Sequence, residues 1–314
     1  MKKIFLTLAA VVALVACNKH EIDNKLETAP KTVDITIQNG SLTKAVTAPA
    51  GEGGLVCDAA DLTALFADAT GTVKKTATFN GVTPVDGKYT FTDVPATVSQ
   101  IAVIALRENA KPATLAEAKE LWTTTEMVNA AADETIVYGE DLSPVSTKTD
   151  AGYVLSAAVT VTTSHARIEV SSISCTDMGE YATIALKKMT LENYELYEAT
   201  LSTTLATTSD KAVAGEGKVW SWNVLEQNVL PIVLDMEVTG NGYTEAIPEK
   251  TLTVNSYKVN GAEIEKFEAG NVYNFAINFA ASNLTGDDSA TVSAEVKVTI
   301  SEWIINETTV GFAN

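Results

Sequence analysis

The chain has 314 residues, 46% hydrophobic and 20% charged, enough for about two domains with cores of their own. Its 22 Lys and Arg face 40 Asp and Glu, a formal charge of −18, which is the wrong sign for an electrostatic nucleic-acid binder. Two histidines, His20 and His165, and three cysteines exclude most His-based catalysis and most Cys/His metal sites, so no cofactor and no enzyme is expected. Abundant Thr, Val and Ala with 7% aromatics suit β-branched strands better than long helices.

Met1-Lys2-Lys3 precedes an apolar run from Ile4 to Ala16. That run falls short of the roughly 20 residues a membrane-spanning helix needs, and with its basic start it reads as a secretory signal over residues 1–16. It ends Leu14-Val15-Ala16-Cys17, which resembles the lipobox of bacterial lipoproteins, where the Cys thiol is acylated and the chain is cut just before it. Several acyl chains on Cys17 anchor a protein stably where one is marginal. Residues 17–31 are polar with no apolar period, a flexible tether in which His20 is simply solvated. Export permits a disulfide. Cys57 and Cys175 are either such a pair or two small buried hydrophobes, and the sequence leaves both open.

Val33-Asp34-Ile35-Thr36-Ile37-Gln38 alternates strictly, so it predicts a short strand that buries one face, that of Val33, Ile35 and Ile37. Residues 41–54 are rich in Thr, Ala, Gly and Pro and hold Lys44, the only basic residue between Lys31 and Lys74, so they form an exposed, protease-accessible loop. Strands follow at Lys88–Thr92, after an Asp86-Gly87 hairpin turn, and at Gln100–Leu106. Thr114–Ala132 reads as a helix with Thr114 as N-cap, Glu117 completing a capping box, and Leu115, Leu121, Trp122 and Met127 facing the core.

The polar stretch 139–152 marks a boundary between domains 32–152 and 153–314. Further strands are expected over 153–162, 167–173, 182–190, 229–238, 251–257, 270–279 and 291–300. Short strands separated by turn signals argue a mostly β chain of two β-sandwich domains with one or two short helices. The chain closes in an extended, half-apolar segment, in which Ile304, Asn306, Thr308, Val310 and Phe312 share one face.

Catalytic signatures such as Gly-x-Ser-x-Gly, His-Glu-x-x-His and Cys-x-x-Cys are lacking. Gly215-Glu216-Gly217-Lys218 fails the spacing of a phosphate loop and reads as a surface hairpin. Asp287-Asp288 lacks the ligand spacing of a calcium loop. Trp220 and Trp222 share a strand face; they serve either as core packing between sheets or as a glycan-stacking platform on a surface lipoprotein. A hydrolase with unusual carboxylates is the weakest reading.

Several of these features resemble the fimbrillin family, the shaft subunits of type V pili in Gram-negative anaerobes. They are the lipobox at Cys17, the leader strand 33–38, and a basic cleavage position in Leu42-Thr43-Lys44-Ala45. Arg167-Ile168-Glu169-Val170 is similar to the family's Arg-centred strand, Ala269–Phe275 to its Gly-x-x-Tyr strand, and Val296–Trp303 to its closing strand. The family's cleavage residue is often Arg; here it is Lys44. The resemblance implies two transthyretin-like domains, a lipoprotein precursor at the outer membrane, and a maturation protease cutting between Lys44 and Ala45. It further implies assembly into a cell-surface fimbrium with identical or related subunits, head to tail. The leader strand (Val33, Ile35, Ile37), a removable edge strand of the first domain, would be released and a donor strand over 304–314 (Ile304, Val310, Phe312) would replace it.

Overall fold

The structure, a computed structural model, describes residues 28–39, 55–105, 111–128, 135–192, 194–196, 220–240, 249–259, 262–284, 295–302 and 304–306. The signal, Cys17, His20, the 41–54 loop with Lys44 and Ala45, Gly215–Lys218, Asp287-Asp288, and Val310 and Phe312 lie outside the described residues. The fold is mostly β, in two compact units: residues 1–40, 58–122 and 137–162 form the first, and 41–57, 123–136 and 163–314 the second. No helix among the described residues is long and apolar enough to cross a membrane.

In chain order the first unit carries β1 (Lys31–Asn39), β3 (Thr63–Asp68), β4 (Val73–Thr78), β5 (Tyr89–Val94), β6 (Val98–Ala105), α1 (Leu115–Thr124), β7 (Val137–Asp141), β8 (Val145–Thr149) and β9 (Gly152–Thr163). The short β2 (Leu55–Asp58) follows residues 41–54 in the chain. These strands, except β2, form one eight-stranded sheet in the order β4-β3-β6-β7-β9-β1-β5, with β8 added on β9. The sheet folds over on itself. Phe66 on β3 meets Phe91 on β5 edge-to-face at 5.6 Å, although four strands separate them in the sheet. Lys75 Nζ on β4 donates to the carbonyls of Thr92 (2.8 Å) and Asp93 (3.1 Å) on β5, tying the two free edges together. A sandwich is thus made from one curled sheet, and a lysine covers an edge that would otherwise invite pairing.

The Asp86-Gly87 turn forms as expected: Val85 and Lys88 exchange both backbone hydrogen bonds, and φ is +49° at Asp86 and +73° at Gly87, the mirror-image turn that suits hairpin twist. The helix begins as expected, with Glu117 N–H donating to Thr114 Oγ1 at 3.1 Å, but the Glu117 carboxylate accepts from the N–H of Ala113 at 2.7 Å, one residue ahead of the cap. It stops at Thr124 rather than Ala132, where three successive threonines disfavour helix. Leu115 and Ala118 pack on Leu65, Ala102, Ile104 and Tyr138, with Trp122 at the margin of this cluster; Leu121 is only half-buried, and Met127 lies beyond the end of the helix, so the expected stripe is core only in its first turn.

The stretch 139–152, expected to hold the domain boundary, is mostly strand, β7 as far as Asp141 and β8 over Val145–Thr149. β7 runs through Gly139, and only glycine fits there, since a Cβ would sit 2.2 Å from the carbonyl of Thr160 on β9. β8 is exposed at every position, which is why its Ser and Thr read as a loop. The first unit continues through these strands to Thr162.

The second unit carries β10 (His165–Asp177), β11 (Tyr181–Leu191), β12 (Tyr194–Leu196), β13 (Trp220–Leu225), β14 (Gln227–Asn228), β15 (Ile232–Gly240), β16 (Lys250–Val254), β17 (Lys258–Val259), β18 (Ala262–Glu263), β19 (Lys266–Phe267), β20 (Asn271–Ala280), β21 (Glu295–Glu302) and β22 (Ile304–Asn306). A sheet β13-β10-β20-β21-β17-β18 and a sheet β12-β11-β15-β16 enclose the core. Ile168, Val170, Trp222 and Phe275 of the first pack with Leu186, Met189, Leu234 and Met236 of the second. Tyr257 stacks on Phe275 at 4.8 Å and donates its hydroxyl to the carbonyl of Leu230 at 2.7 Å.

One expectation about β1 is overturned. The strand lies inside the sheet, not at its edge: it pairs antiparallel with β5 and parallel with β9. Alternation fixes which face of a strand is buried; it carries no information on how many neighbours the strand has.

Candidate functional site

The strand expected to leave the first unit is β1. Val33 and Ile35 are fully buried and Ile37 nearly so, while Asp34 and Thr36 are half-buried on the other face. β9 lies along Thr32 to Asn39 of β1, partnering Val154 to Val161. β5 covers only Lys31 to Ile35, from Val94 to Tyr89. The side-chain contacts follow the same division. Lys31 Nζ donates to the Val98 carbonyl at 2.9 Å, and Thr90 Oγ1 donates to Asp34 Oδ1 at 2.8 Å. At the other end Thr160 Oγ1 reaches Gln38 Oε1 at only 3.4 Å. Burial of its stem lowers the pKa of Lys31.

The second unit repeats this arrangement. Its first strand, β10, pairs antiparallel with β13 and parallel with β20. Ile168 and Val170 face the core as Val33 and Ile35 do. The opposite faces differ. On β10 that face carries Arg167 and Glu169, both fully buried. Arg167 Nε donates to Glu169 Oε1 (2.8 Å), Nη1 to Asn223 Oδ1 (3.0 Å) and Nη2 to Ser221 Oγ (2.7 Å). Asn274 Nδ2 on β20 lies 3.4 Å from Glu169 Oε2. The pair thus links three adjacent strands. The charged parity of Arg167-Ile168-Glu169-Val170 is visible in the sequence; the partners Ser221, Asn223 and Asn274 are not, because they come from strands far away in the chain.

His165 begins β10, fully buried, with Nδ1 3.2 Å from Ser164 Oγ. Burial pushes its pKa down to about 4, against a smaller opposing pull from the backbone of Thr125. The unfolded chain takes up this proton near pH 6.5, so stability is full above that pH and is lost as pH falls from about 6.5 towards about 4. Each pH unit in that window costs about 1.4 kcal/mol. Denaturant titrations at pH 7.5 and pH 5 should show this loss in the native chain and much less of it in His165→Gln. Glu140 and Glu226 also have lowered pKa values: at Glu140 burial pushes upward but is outweighed by the bonds to Tyr138 and Lys119, and at Glu226 the bond to Lys266 leads; their contributions are lost only at lower pH.

Trp222 is fully buried in the second core, which removes it from any glycan platform. Cys57 and Cys175 are free thiols and do not pair. Among the described residues no cluster of His, Cys, Asp or Glu could hold a metal ion. Ile304 lies in β22, which pairs with β2, the strand that begins at Leu55.

No family model matches the chain, and no curated protein matches it by sequence. Solved structures do match. A candidate cell adhesion protein from Parabacteroides distasonis aligns over 90% of this chain and 99% of its own at 15% identity and TM-score 0.54. Another from Bacteroides eggerthii aligns over 88% and 97%, at 11% identity and TM-score 0.52. A fimbrilin from Porphyromonas gingivalis aligns over 90% and 100%, at 17% identity and TM-score 0.50. At these identities the likeness is one of fold: the chain has the two-domain β architecture of these adhesion and fimbrial proteins.

Proposed function

We propose that the chain is the precursor of a structural subunit of a cell-surface fimbrium, of the fimbrillin type, that assembles by strand exchange and supports adhesion. The observation that carries this reading is β1: a strand near the start of the chain fills an interior slot of the first unit with Val33, Ile35 and Ile37. The likeness in fold to a fimbrilin supports it. Lipid on Cys17 would hold the precursor at the outer membrane, and a protease would cut between Lys44 and Ala45. Because β1 lies between two ladders, cutting alone does not empty the slot; an incoming strand has to displace it. The C-terminal segment of another copy, with Thr308, Val310 and Phe312 alternating as Val33, Ile35 and Ile37 do, offers such a strand. A head-to-tail contact of this kind does not close and grows a filament.

The test is to cut lipid-free precursor at Lys44 with a Lys-specific protease and look for ladders that resist mild denaturant. Oligomers are expected, and none from a chain lacking residues 308–314, which should fold normally. Persistent monomer after a clean cut overturns the proposal, as do normal filaments from the truncated chain.

A further inference from the structure

The two ladders that hold β1 are of unequal length, and this gives its replacement a direction. We infer that β1 is displaced from its Asn39 end, the end that leads to the proposed cut at Lys44, and that an incoming strand first pairs with β9 opposite that end. The inference rests on the strand-exchange reading and adds its polarity.

The parallel ladder with β9 continues to Asn39, whereas the antiparallel ladder with β5 stops at Ile35. Beyond that point β5 gives way to the tight turn at Asp86-Gly87, which closes on Val85 and Lys88. Among the described residues, the strand from Thr36 to Asn39 is therefore paired on one side only, in the parallel manner, which is slightly weaker per residue than the antiparallel kind. Among the described residues, the short side-chain hydrogen bonds, those of Lys31 and Asp34, belong to the other half. Core burial grades the same way: Val33 and Ile35 are 0% exposed and Ile37 6%. A strand opens most readily where the fewest hydrogen bonds break and the least apolar surface meets water, so the Thr36–Asn39 half opens first.

While the loop is intact, the chain beyond Asn39 tethers this end and the freed segment recloses at high effective concentration. A cut at Lys44 leaves a short loose end there instead. Opening then exposes the edge of β9 near Val159 to Val161. An incoming strand that pairs there can advance towards Lys31, exchanging one ladder bond for another, without the slot ever standing empty.

The first arm is residue-resolved amide exchange on the uncut, lipid-free chain. Amides of Thr36 to Asn39 should exchange at least tenfold faster than those of Thr32 to Ile35; equal or reversed rates overturn the inference. The second arm times the binding of a fluorescent peptide of residues 304–314 to chain cut at Lys44. Gln38→Pro, at the weak end, should speed binding several-fold, and Thr32→Pro, at the strong end, should not; the reverse order overturns it. Should Gln38→Pro fail to fold, Gln38→Gly replaces it with the same expectation. If the peptide binds no variant, strand exchange itself fails, while the amide gradient still decides which end of β1 opens first.

Discussion

Replacing Arg167 by Met is expected to destabilise the second unit by about 3–5 kcal/mol, as for other buried ion pairs that lose one partner. Glu169 would keep its charge with no water and no guanidinium beside it, and Ser221 and Asn223 would lose a donor. A buried carboxylate in that position must either protonate or leave the fold. The double variant Arg167→Met/Glu169→Leu removes both charges and should recover most of the loss, since apolar replacements of a buried pair are often neutral or better. Denaturant unfolding of the two variants beside the native chain checks this; a single variant as stable as the double one would mean that Glu169 has found another partner. A one-residue slip of β10 between β13 and β20 would carry Arg167 away from Asn223 and towards the core, so the pair also fixes register.

That cluster marks the limit of what the sequence discloses. Alternation located β1, β10 and β20 to within a few residues, because an apolar face must be buried wherever the strand lies. The Asp86-Gly87 turn and the Thr114 cap were legible for a local reason: each depends on dihedral or hydrogen-bond preferences of one or two residues. β8 was not legible, because a strand exposed on both faces has no alternation to betray it. Neighbourhood was not legible either. Nothing in Val33–Gln38 tells an edge strand from one with β5 and β9 on its two sides. The same holds for Trp222, whose spacing from Trp220 suits a core and a platform equally until its burial is known.

The interior position of β1 makes its removal far more costly than that of an edge strand. Val33, Ile35 and Ile37 are buried, each side chain being worth about 1.5–3 kcal/mol. Together they contribute about 5–9 kcal/mol before any ladder bond is counted, against a total stability of about 5–15 kcal/mol for a typical domain. A chain that begins at Ser41 should therefore lose the first unit and keep the second, whose core contains no residue of β1. In a thermal scan one transition should disappear, and the amides of β5 and β9 should lose protection while those of β10 and β20 keep theirs. A peptide of residues 31–39 added in trans should restore the lost transition, with a midpoint that rises with peptide concentration, as binding to the folded state alone requires. The same peptide carrying Ile35→Asp should not, because it would bury a carboxylate where Ile35 is fully enclosed. A first unit that stays folded without β1 and ignores the peptide would mean that the slot closes on itself. A closed slot leaves an incoming strand nothing to enter, and strand exchange would then have no acceptor.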